Sequence, residues 1–535
     1  MDLKDKILKY FNESMKIKSF SNTESEQNIE NYLLETIGKI SYFKENITLF
    51  GKSEIQRDIK NRSNIWALLK SDVKDTVILF HHHDTVDIEN FGNLKDIAFD
   101  SERLKKNLII KSNPELNHDI KSNNWIFGRG SCDMKSALAL QLAVLEEYSQ
   151  KTDRKVNLLY LSVADEETYS AGMRSAVNLL IELKNKYDLN YILAIDSEPF
   201  ESDSEYIKTL YLGTVGKLMP VIVTQGVVSH IKEPLKGINA ASLMAKVVSE
   251  LDLNEKLSET VLGNTSPLPT ISYLRDLKEI YNVTTVQRAA TYFSILDLTR
   301  TPEEDMNIIM EICKKSADDY FKKYIELRNK YKVDFEINNI KVLSYSELLK
   351  LCKEKKGYDY FIKNQLETTK EKFKNNMSFQ DIVIDNIKEC LEFYDSDNAY
   401  IIIAIAPPYY PAVNSRNIKS DISINKLTDL YNSYLKDRNF SINVEEYFMG
   451  ICDISYCAIE KDEKCYEAVL NSMAISDEIY ELDFNKIKEL NIPGINLGPW
   501  GKDLHKNTER VYKEDMLKTI PEFLLYLLDN IDSTK

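Results

Sequence analysis

Histidine and cysteine are both scarce in this sequence. Six histidines and seven cysteines are spread over 535 residues, the cysteine count is odd, and no Cys-x-x-Cys pair occurs. This pattern favours reduced thiols in a cytosol over a disulfide framework or a zinc ribbon. Because histidines are so few, those that stand beside carboxylates are informative about a site.

Excess positive charge and long apolar runs are also missing. The net charge is -15, so the overall field repels phosphate and argues against a general nucleic-acid or anionic-membrane role. The longest uncharged run, between Asn398 and Arg416, contains three prolines and is too short and broken to span a bilayer as a helix. The N-terminus is charged from Asp2 onward, which predicts that no signal peptide is present. Since 43% of the residues are hydrophobic, we expect a cytoplasmic protein with packed cores.

Strand-like and helix-like segments alternate over the first two hundred residues. The short apolar runs at 76–80, 156–163 and 191–195 are predicted to be buried strands, and 135–148 is predicted to be a helix. This alternation predicts an α/β domain with a mostly parallel sheet and helices on both faces. In such sheets functional groups gather at the carboxyl ends of the strands.

From Gly213 onward the pattern changes to β-α-β-β-α-β, the order of a ferredoxin-like α+β unit. The predicted elements are 217–225, 240–251, 269–274, 291–298, 302–331 and 335–343. A helical stretch follows, and a predicted strand at 400–406 returns the chain to the first domain. We therefore expect a catalytic domain at 1–212 and 397–535, an inserted lid or dimerisation domain at 213–345, and a helical insertion at 346–396.

The first cluster of candidate functional residues ends the predicted strand at 76–80. His82 and Asp84 are two residues apart, so they lie on the same side of an extended chain. His81 and His83 point the other way. The imidazole of His82 can bind a metal ion while Asp84 holds its other ring nitrogen, and a solvated histidine run is the alternative.

Two further clusters contain carboxylates. Asp133 ends the sequence Gly-Arg-Gly-Ser-Cys-Asp just before a predicted helix, where both a metal ligand and a plain N-cap are compatible with its position. Asp165, Glu166 and Glu167 directly follow a predicted strand. Three carboxylates at the end of a buried strand repel one another unless cations compensate them, which favours metal binding or acid/base chemistry over a solvated loop.

The last two clusters are Asp196 with Glu198, which follow the predicted strand at 191–195, and His505 at the end of a glycine-rich loop. By itself the late histidine is a weak signal. Together the clusters offer two imidazoles and several carboxylates, a ligand set suited to Zn²⁺, Co²⁺ or Mn²⁺. Two such ions about 3.5–4 Å apart can share a bridging carboxylate and activate a water.

In order along the chain, these motifs resemble the zinc aminopeptidase-like family of aminoacylases, carboxypeptidase G, succinyl-diaminopimelate desuccinylase, acetylornithine deacetylase and peptidase T. The family pattern is His-x-Asp, Gly-Arg-Gly-x-x-Asp-x-Lys, Asp-Glu-Glu, Glu-Pro and a late glycine-rich loop ending in His, and every part of it occurs here. The resemblance spans nearly the whole chain. It implies a catalytic α/β domain with an inserted ferredoxin-like lid, and hydrolysis of an amide bond.

The resemblance also implies a role for each candidate residue. Glu166 would be the general base, and Asp84 would orient His82. Two divalent metal ions would be bound, with zinc expected and cobalt or manganese as alternatives. Asp196 is the alternative to Glu198 as a ligand. The implied metal ligands are His82, Asp133, Glu167, Glu198 and His505.

The inserted domain carries a further motif of the family. The sequence Gln-Gly-Val-Val-Ser-His at 225–230 is similar to the lid motif whose histidine contacts the substrate or the developing oxyanion. The resemblance therefore implies a catalytic role for His230, either in cis or from the partner subunit of a homodimer. A surface histidine is the alternative.

Within the family, three stretches resemble the arginine utilization (RocB) subfamily, at 213–218, 452–456 and 496–510. We expect a hydrolase that acts, without a covalent intermediate, on a small amino-acid or dipeptide-like substrate, with arginine or amino-acid catabolism as the implied context. A non-catalytic substrate-binding relative and a mononuclear hydrolase are the alternatives. The retained Glu166 argues against the first, because a binding protein needs no general base.

Overall fold

A computed structural model describes residues 1–108, 113–334 and 339–535. The chain forms two compact units, the first comprising 1–214, 413–460 and 485–535 and the second comprising 215–412 and 461–484. None of the described helices is both long and apolar enough to cross a membrane. The expected α/β class is confirmed, because the first unit contains a large sheet whose central strands are parallel.

The elements are numbered along the chain. The strands are β1 (Phe50–Glu54), β2 (Ser63–Leu69), β3 (Asp75–His82), β4 (Trp125–Phe127), β5 (Asn157–Val163), β6 (Asn190–Asp196), β7 (Ile207–Tyr211), β8 (Gly213–Thr214), β9 (Gly216–Leu218), β10 (Pro220–Gln225), β11 (Thr260–Val261), β12 (Asn264–Thr265), β13 (Ile271–Asp276), β14 (Arg288–Phe293), β15 (Ile295–Asp297), β16 (Ile340–Ser344), β17 (Ala399–Ile405), β18 (Val413–Asn414), β19 (Ser441–Glu445), β20 (Gly494–Asn496), β21 (Gly501–Lys502) and β22 (Arg510–Tyr512). The helices are α1 (Leu3–Ser14), α2 (Glu26–Gly38), α3 (Ser41–Glu45), α4 (Ser101–Asn107), α5 (Pro114–Ser122), α6 (Lys135–Ser149), α7 (Ala171–Tyr187), α8 (Ala240–Leu251), α9 (Pro302–Tyr331), α10 (Tyr345–Lys353), α11 (Tyr358–Lys374), α12 (Phe379–Tyr394), α13 (Ile424–Lys436), α14 (Glu467–Ser472), α15 (Phe484–Leu490) and α16 (Ile520–Asp529).

An eight-stranded sheet forms the centre of the first unit, with strand order β1-β2-β5-β3-β6-β20-β7-β19. Strands β5, β3 and β6 run parallel, with Phe80 of β3 opposite Leu161 on one side and Asp196 on the other. Every residue of β5 is buried, as expected for an apolar strand covered on both faces. Because the carboxyl ends of these strands lie at one edge of the sheet, the residues that follow them come together there.

The second unit contains a five-stranded sheet with the order β13-β14-β10-β17-β16. Strands β13, β14 and β10 are antiparallel neighbours, and with α8 and α9 they form most of the expected β-α-β-β-α-β unit. Two strands expected to be continuous, at 217–225 and 291–298, are each divided in two. The outer halves β9 and β15 pair with each other in a small sheet of their own. Residues 335–338 of the last predicted strand lie outside the described residues.

The strand near residue 400 belongs to a different unit from the one expected. We expected the chain to return to the catalytic domain at residue 397, but β17 pairs with β10 on one side and with β16 on the other. The second unit therefore extends to residue 412 and also includes 461–484. All seven residues of β17 are buried. An apolar run of this kind predicts a central strand, but it contains no information about which sheet the strand joins.

Candidate metal centre

One group of possible metal ligands lies at the ends of β3 and β6. His82 is the last residue of β3, and its Nε2 lies 2.9 Å from Asp133 Oδ1 and 3.6 Å from Glu198 Oε1. Each residue is at most 6% exposed. The candidate ligand atoms of all three lie within 4.8 Å of one another, so they could hold one ion.

A second group shares Asp133 with the first. His505 Nε2 lies 3.0 Å from Asp133 Oδ2 and 2.9 Å from Glu167 Oε2. These three residues also have ligand atoms within 4.8 Å of one another. The side chain of His505 is 53% exposed, whereas that of Glu167 is only 4% exposed. The two oxygens of Asp133 therefore face two different imidazoles.

Asp84 connects the end of β3 to the loop of three carboxylates. His82 Nδ1 lies 3.1 Å from the carbonyl oxygen of Asp84 and 3.4 Å from its Oδ1, and the two carboxylate oxygens of Asp84 accept hydrogen bonds from the backbone N–H groups of Glu166 and Glu167, both at 3.2 Å. Burial opposes ionisation of Asp84, but the hydrogen bond and charge of His82 outweigh it and lower the pKa of Asp84. An ionised Asp84 can thus orient both the imidazole and the loop.

Asp165 is turned away from the two ligand groups, although it begins the same acidic run. Its carboxylate forms a buried ion pair with Arg62 and accepts a hydrogen bond from the Thr168 hydroxyl at 2.6 Å. Its φ of 67° lies in the left-handed region, where the chain reverses direction. Only the next two acidic residues are left free for chemistry at the site.

The site concentrates carboxylates where water is scarce. Burial raises the pKa of Glu166, and the charges of Asp453, Glu167 and Asp133 raise it further against the opposing effect of His82. Burial likewise raises the pKa of Glu198 and of Glu167, whose buried Oε1 has no hydrogen-bond partner. An orphaned oxygen among crowded carboxylates and imidazoles fits divalent cations that prefer nitrogen and oxygen ligands.

Geometry distinguishes Glu198 from Asp196. Glu198 faces His82, as described above, whereas Asp196 Oδ1 accepts a hydrogen bond from the backbone N–H of Ser197 at 2.8 Å. Asp196 belongs to neither candidate ligand group among the described residues. The arrangement therefore favours Glu198 as the ligand.

The neighbouring histidines, His81 and His83, form their hydrogen bonds in the buried interior of the first unit. His81 Nδ1 is 2.9 Å from Gln141 Oε1, and His83 Nδ1 is 2.9 Å from Ser162 Oγ. Burial lowers the pKa of both imidazoles to about 3, so they are neutral. Both point away from the ligand groups, in line with the alternation of a strand.

The glycine-rich loop that carries His505 packs directly on the segment that carries Glu198. A Cβ atom on Gly498 would lie 2.2 Å from the carbonyl oxygen of Glu198, and one on Gly501 would lie 1.9 Å from Cys132 Sγ. Only glycine allows these close approaches. The glycines thus bring the loop across the ends of the strands, where His505 meets Asp133.

His230 lies in the second unit, on the segment between β10 and α8. It is exposed, and its Nδ1 accepts a hydrogen bond from the backbone N–H of Lys232 at 3.2 Å. Among the described residues of that unit, none forms a hydrogen bond or ion pair with Nε2 of His230. A role for His230 therefore depends on what approaches this surface.

Sequence reasoning missed two buried acids beside the site. Burial raises the pKa of Asp453 to about 7, and Asp453 in turn acts on the carboxyl of Glu166. Glu509 accepts hydrogen bonds from the backbone around Asp133. Asp453 and Glu509 lie in the stretches 452–456 and 496–510, whose only signal in the sequence is the subfamily resemblance. No local pattern indicates the contacts that these two acids make.

A cavity of about 410 Å³ opens beside Glu167 within the first unit. The residues that line it include the apolar Phe20, Val86 and Ile88 together with the polar Thr168. Cavities of this size hold small ligands or substrate side groups.

Comparison with known proteins identifies the family. A sequence model of the family described as "Peptidase family M20/M25/M40" matches residues 111–529 of this chain. This chain belongs to peptidase family M20/M25/M40. Protein RocB of Bacillus subtilis (strain 168) is a relative of this M20 chain, with 30% identity over 525 residues that cover 94% of this chain and 91% of RocB. The expected resemblance to the family, and to RocB within it, is confirmed.

Two further comparisons cover nearly the whole chain. Uncharacterized protein YqjN of Bacillus subtilis (strain 168) is 29% identical over 544 residues, which cover 98% of this chain and 96% of YqjN. The crystal structure of a tripeptidase from Staphylococcus aureus superposes with a TM-score of 0.56 at 13% identity and covers 99% of both chains. The latter supports the shared fold.

Proposed function

We propose that this M20 chain is a dinuclear metal-dependent hydrolase that cleaves an amide bond, peptide or N-acyl, in a small amino-acid-like substrate without a covalent intermediate. The observation that carries the proposal is the sharing of Asp133 between two candidate ligand groups, with Glu166 in the same loop as Glu167. Two separate single-ion sites would not require a common carboxylate.

The proposed ligands are His82, Asp133 and Glu198 for one ion, and Asp133, Glu167 and His505 for the other. Zinc is the expected metal, with cobalt or manganese as alternatives, because the ligands are imidazole nitrogens and carboxylate oxygens. When bound, the ions would polarise the substrate carbonyl and activate the attacking water. Asp84 would keep the His82 ring oriented for ligation.

Glu166 would accept a proton from the attacking water and deliver it to the leaving nitrogen. The residue is partly exposed, so a substrate and water can reach it. In the metal-free site, burial and neighbouring carboxylates raise the pKa of Glu166. Bound cations would favour its charged form, so Glu166 could accept a proton first as a base and give it up later as an acid.

A mononuclear hydrolase is the second candidate, and the half-exposed ring of His505 is the observation that favours it. An ion held partly by an exposed ligand could bind more weakly than one held by buried ligands. The number of ions bound at saturation separates the two candidates.

The substrate class is proposed as N-acyl amino acids or dipeptides, with arginine or amino-acid catabolism as the context implied by the RocB resemblance. The test is a hydrolysis screen of both compound classes with enzyme that has been stripped by a chelator and reloaded with Zn²⁺, Co²⁺ or Mn²⁺. We expect turnover only after reloading, with two ions bound per chain. Turnover that survives complete removal of metal would contradict the proposal.

We also propose that a second copy of this chain covers the surface around His230. The apolar side chains of Val228, Ile231, Tyr281 and Val283 are between 45% and 90% exposed there, and exposed apolar clusters commonly mark interfaces. Strand β13 of the same unit is the edge of its sheet and could pair with its own copy. Light scattering on the purified chain should give the mass of a dimer, and a monomer at all concentrations would contradict this part of the proposal.

A further inference from the structure

A buried ion pair joins two of the loops that carry candidate ligands. Arg129 Nη1 lies 2.6 Å from Glu509 Oε2, and the two side chains are 1% and 0% exposed. Arg129 belongs to the turn before Asp133, and Glu509 follows His505 by four residues. The pair therefore connects segments that are far apart in sequence and adjacent at the site.

The carboxylate of Glu509 holds the backbone at Asp133. Its Oε1 accepts hydrogen bonds from the N–H groups of Cys132, at 3.1 Å, and of Asp133, at 3.3 Å. The carbonyl oxygen of Glu509 accepts a third bond, at 3.1 Å, from the N–H of Gly128. Glu509 thus fixes both ends of the turn that delivers the shared ligand.

The guanidinium of Arg129 holds the backbone at His505. Its Nη2 donates to the carbonyl oxygen of His505 at 3.0 Å and to Asn90 Oδ1 at 3.1 Å. The side-chain amide of Asn90 donates to the same carbonyl oxygen, and Arg129 Nε donates to the carbonyl oxygen of Asp87 at 3.0 Å. The φ of His505 is 61°, a left-handed conformation that non-glycine residues adopt mainly when their surroundings enforce it.

We propose that Arg129 and Glu509 are positioning residues that fix Asp133 and His505 relative to each other and thereby set the affinity for the second ion, the one assigned to Asp133, Glu167 and His505. The inference rests on the metal binding in the proposed function and not on hydrolysis. Neither residue is in a candidate ligand group, so both act through the ligands.

The chemistry of the pair matches this task. The planar guanidinium directs its donors to Glu509, Asn90 and two carbonyl oxygens at once, which a lysine ammonium on a flexible stem does not reproduce. Metal affinity is sensitive to such outer partners, and their removal typically weakens binding about 10- to 100-fold.

The test uses the variants Arg129→Lys and Glu509→Gln, with Zn²⁺ binding measured by equilibrium dialysis and by titration calorimetry. We expect affinity for the second ion to fall about 10- to 100-fold and affinity for the first ion to fall less, because the first ion shares only Asp133 with the displaced segments. Asn90 is exposed, so Asn90→Ala should fold even if the buried variants do not, and it should weaken the same ion to a smaller extent.

Lys6→Met is the control, because it breaks another ion pair of a buried cation, Lys6 with the partly exposed Glu147 at 2.9 Å, between α1 and the far end of α6. This variant should lower the melting temperature without changing either metal affinity. Wild-type affinity for both ions in Arg129→Lys, Glu509→Gln and Asn90→Ala would overturn the inference, as would equal weakening of both ions. A chain that binds two ions and hydrolyses no amide would overturn the proposed hydrolase function and leave this result intact.

Discussion

Glutamine in place of Glu166 keeps the length and shape of the side chain but removes its capacity to accept a proton. Glu166 belongs to neither candidate ligand group. The backbone N–H of residue 166, which donates to Asp84 Oδ1 at 3.2 Å, is unaffected by the substitution. We therefore expect Glu166→Gln to bind two ions with wild-type affinity.

The catalytic loss in Glu166→Gln should be large. A positioned general base contributes about 10²- to 10⁴-fold, which corresponds to about 3–5 kcal/mol of transition-state stabilisation. The loss should fall on kcat, because the substituted group handles a proton in the transition state and makes no proposed contact with the ground-state substrate. Since burial and neighbouring carboxylates disfavour the charged form of Glu166, the neutral amide should leave the melting temperature unchanged or slightly higher.

The assay for Glu166→Gln combines metal analysis, thermal melting and steady-state kinetics on the substrate found by the hydrolysis screen. Glu24→Gln is the matched control, since Glu24 is exposed and the chemical change is identical. Turnover within a factor of about two of the control would refute the assignment of Glu166 as the base, because no general-base contribution is that small. Loss of one ion would instead make Glu166 a ligand.

Three other perturbations test His230, a buried acid beside the site and the packing of the glycine-rich loop. His230→Ala should lower kcat about 10²- to 10³-fold, the range for loss of one oxyanion donor, with unchanged metal content; normal turnover would remove this role. Burial raises the pKa of Asp453 to about 7, so the Asp453 carboxyl of the folded metal-free protein holds a proton that the unfolded chain releases above about pH 4, and the stability that the wild type loses relative to Asp453→Asn in urea should grow from about pH 5 to 7; a difference that stays constant over this range would contradict that shift. Gly501→Ala should destabilise by about 1–3 kcal/mol through overpacking because its Cβ would lie 1.9 Å from Cys132 Sγ, and Cys132→Ala should restore part of the loss in a thermal melt.

Much of the candidate site could be predicted from sequence because its side chains follow buried strands. The apolar runs at β3, β5 and β6 mark where each strand ends, and parallel strands bring their ends to one edge. His82 and Glu198 could be expected to meet for this reason alone. The loop of His505 follows β20, a strand parallel to β6, but this strand has only three residues and was not predicted, so only the family resemblance implied the place of His505 among the ligands.

Other features had no local signal. The seven buried residues of β17 predict a central strand equally well in either unit, and the choice depends on pairing with β10 and β16. The Arg129–Glu509 pair links residues 380 positions apart, so no spacing pattern could indicate it. Pairings of this kind depend on how the whole chain folds.

Charge balance supports the proposal of two ions at this site. Hydrogen bonds to Asp133 and Glu167 raise the pKa of His505 to about 11, so without metal the imidazolium supplies the positive charge that these carboxylates require. A single dication beside His82 would face Asp133 Oδ1 and Glu198 and leave Oδ2 and Glu167 dependent on that proton. Because deprotonated imidazole is the form that ligates metal, a second ion would replace the proton of His505 and neutralise the same carboxylates with a higher charge. The separate orientation of the two Asp133 oxygens toward His82 and His505 would therefore let Asp133 serve both of the proposed ions.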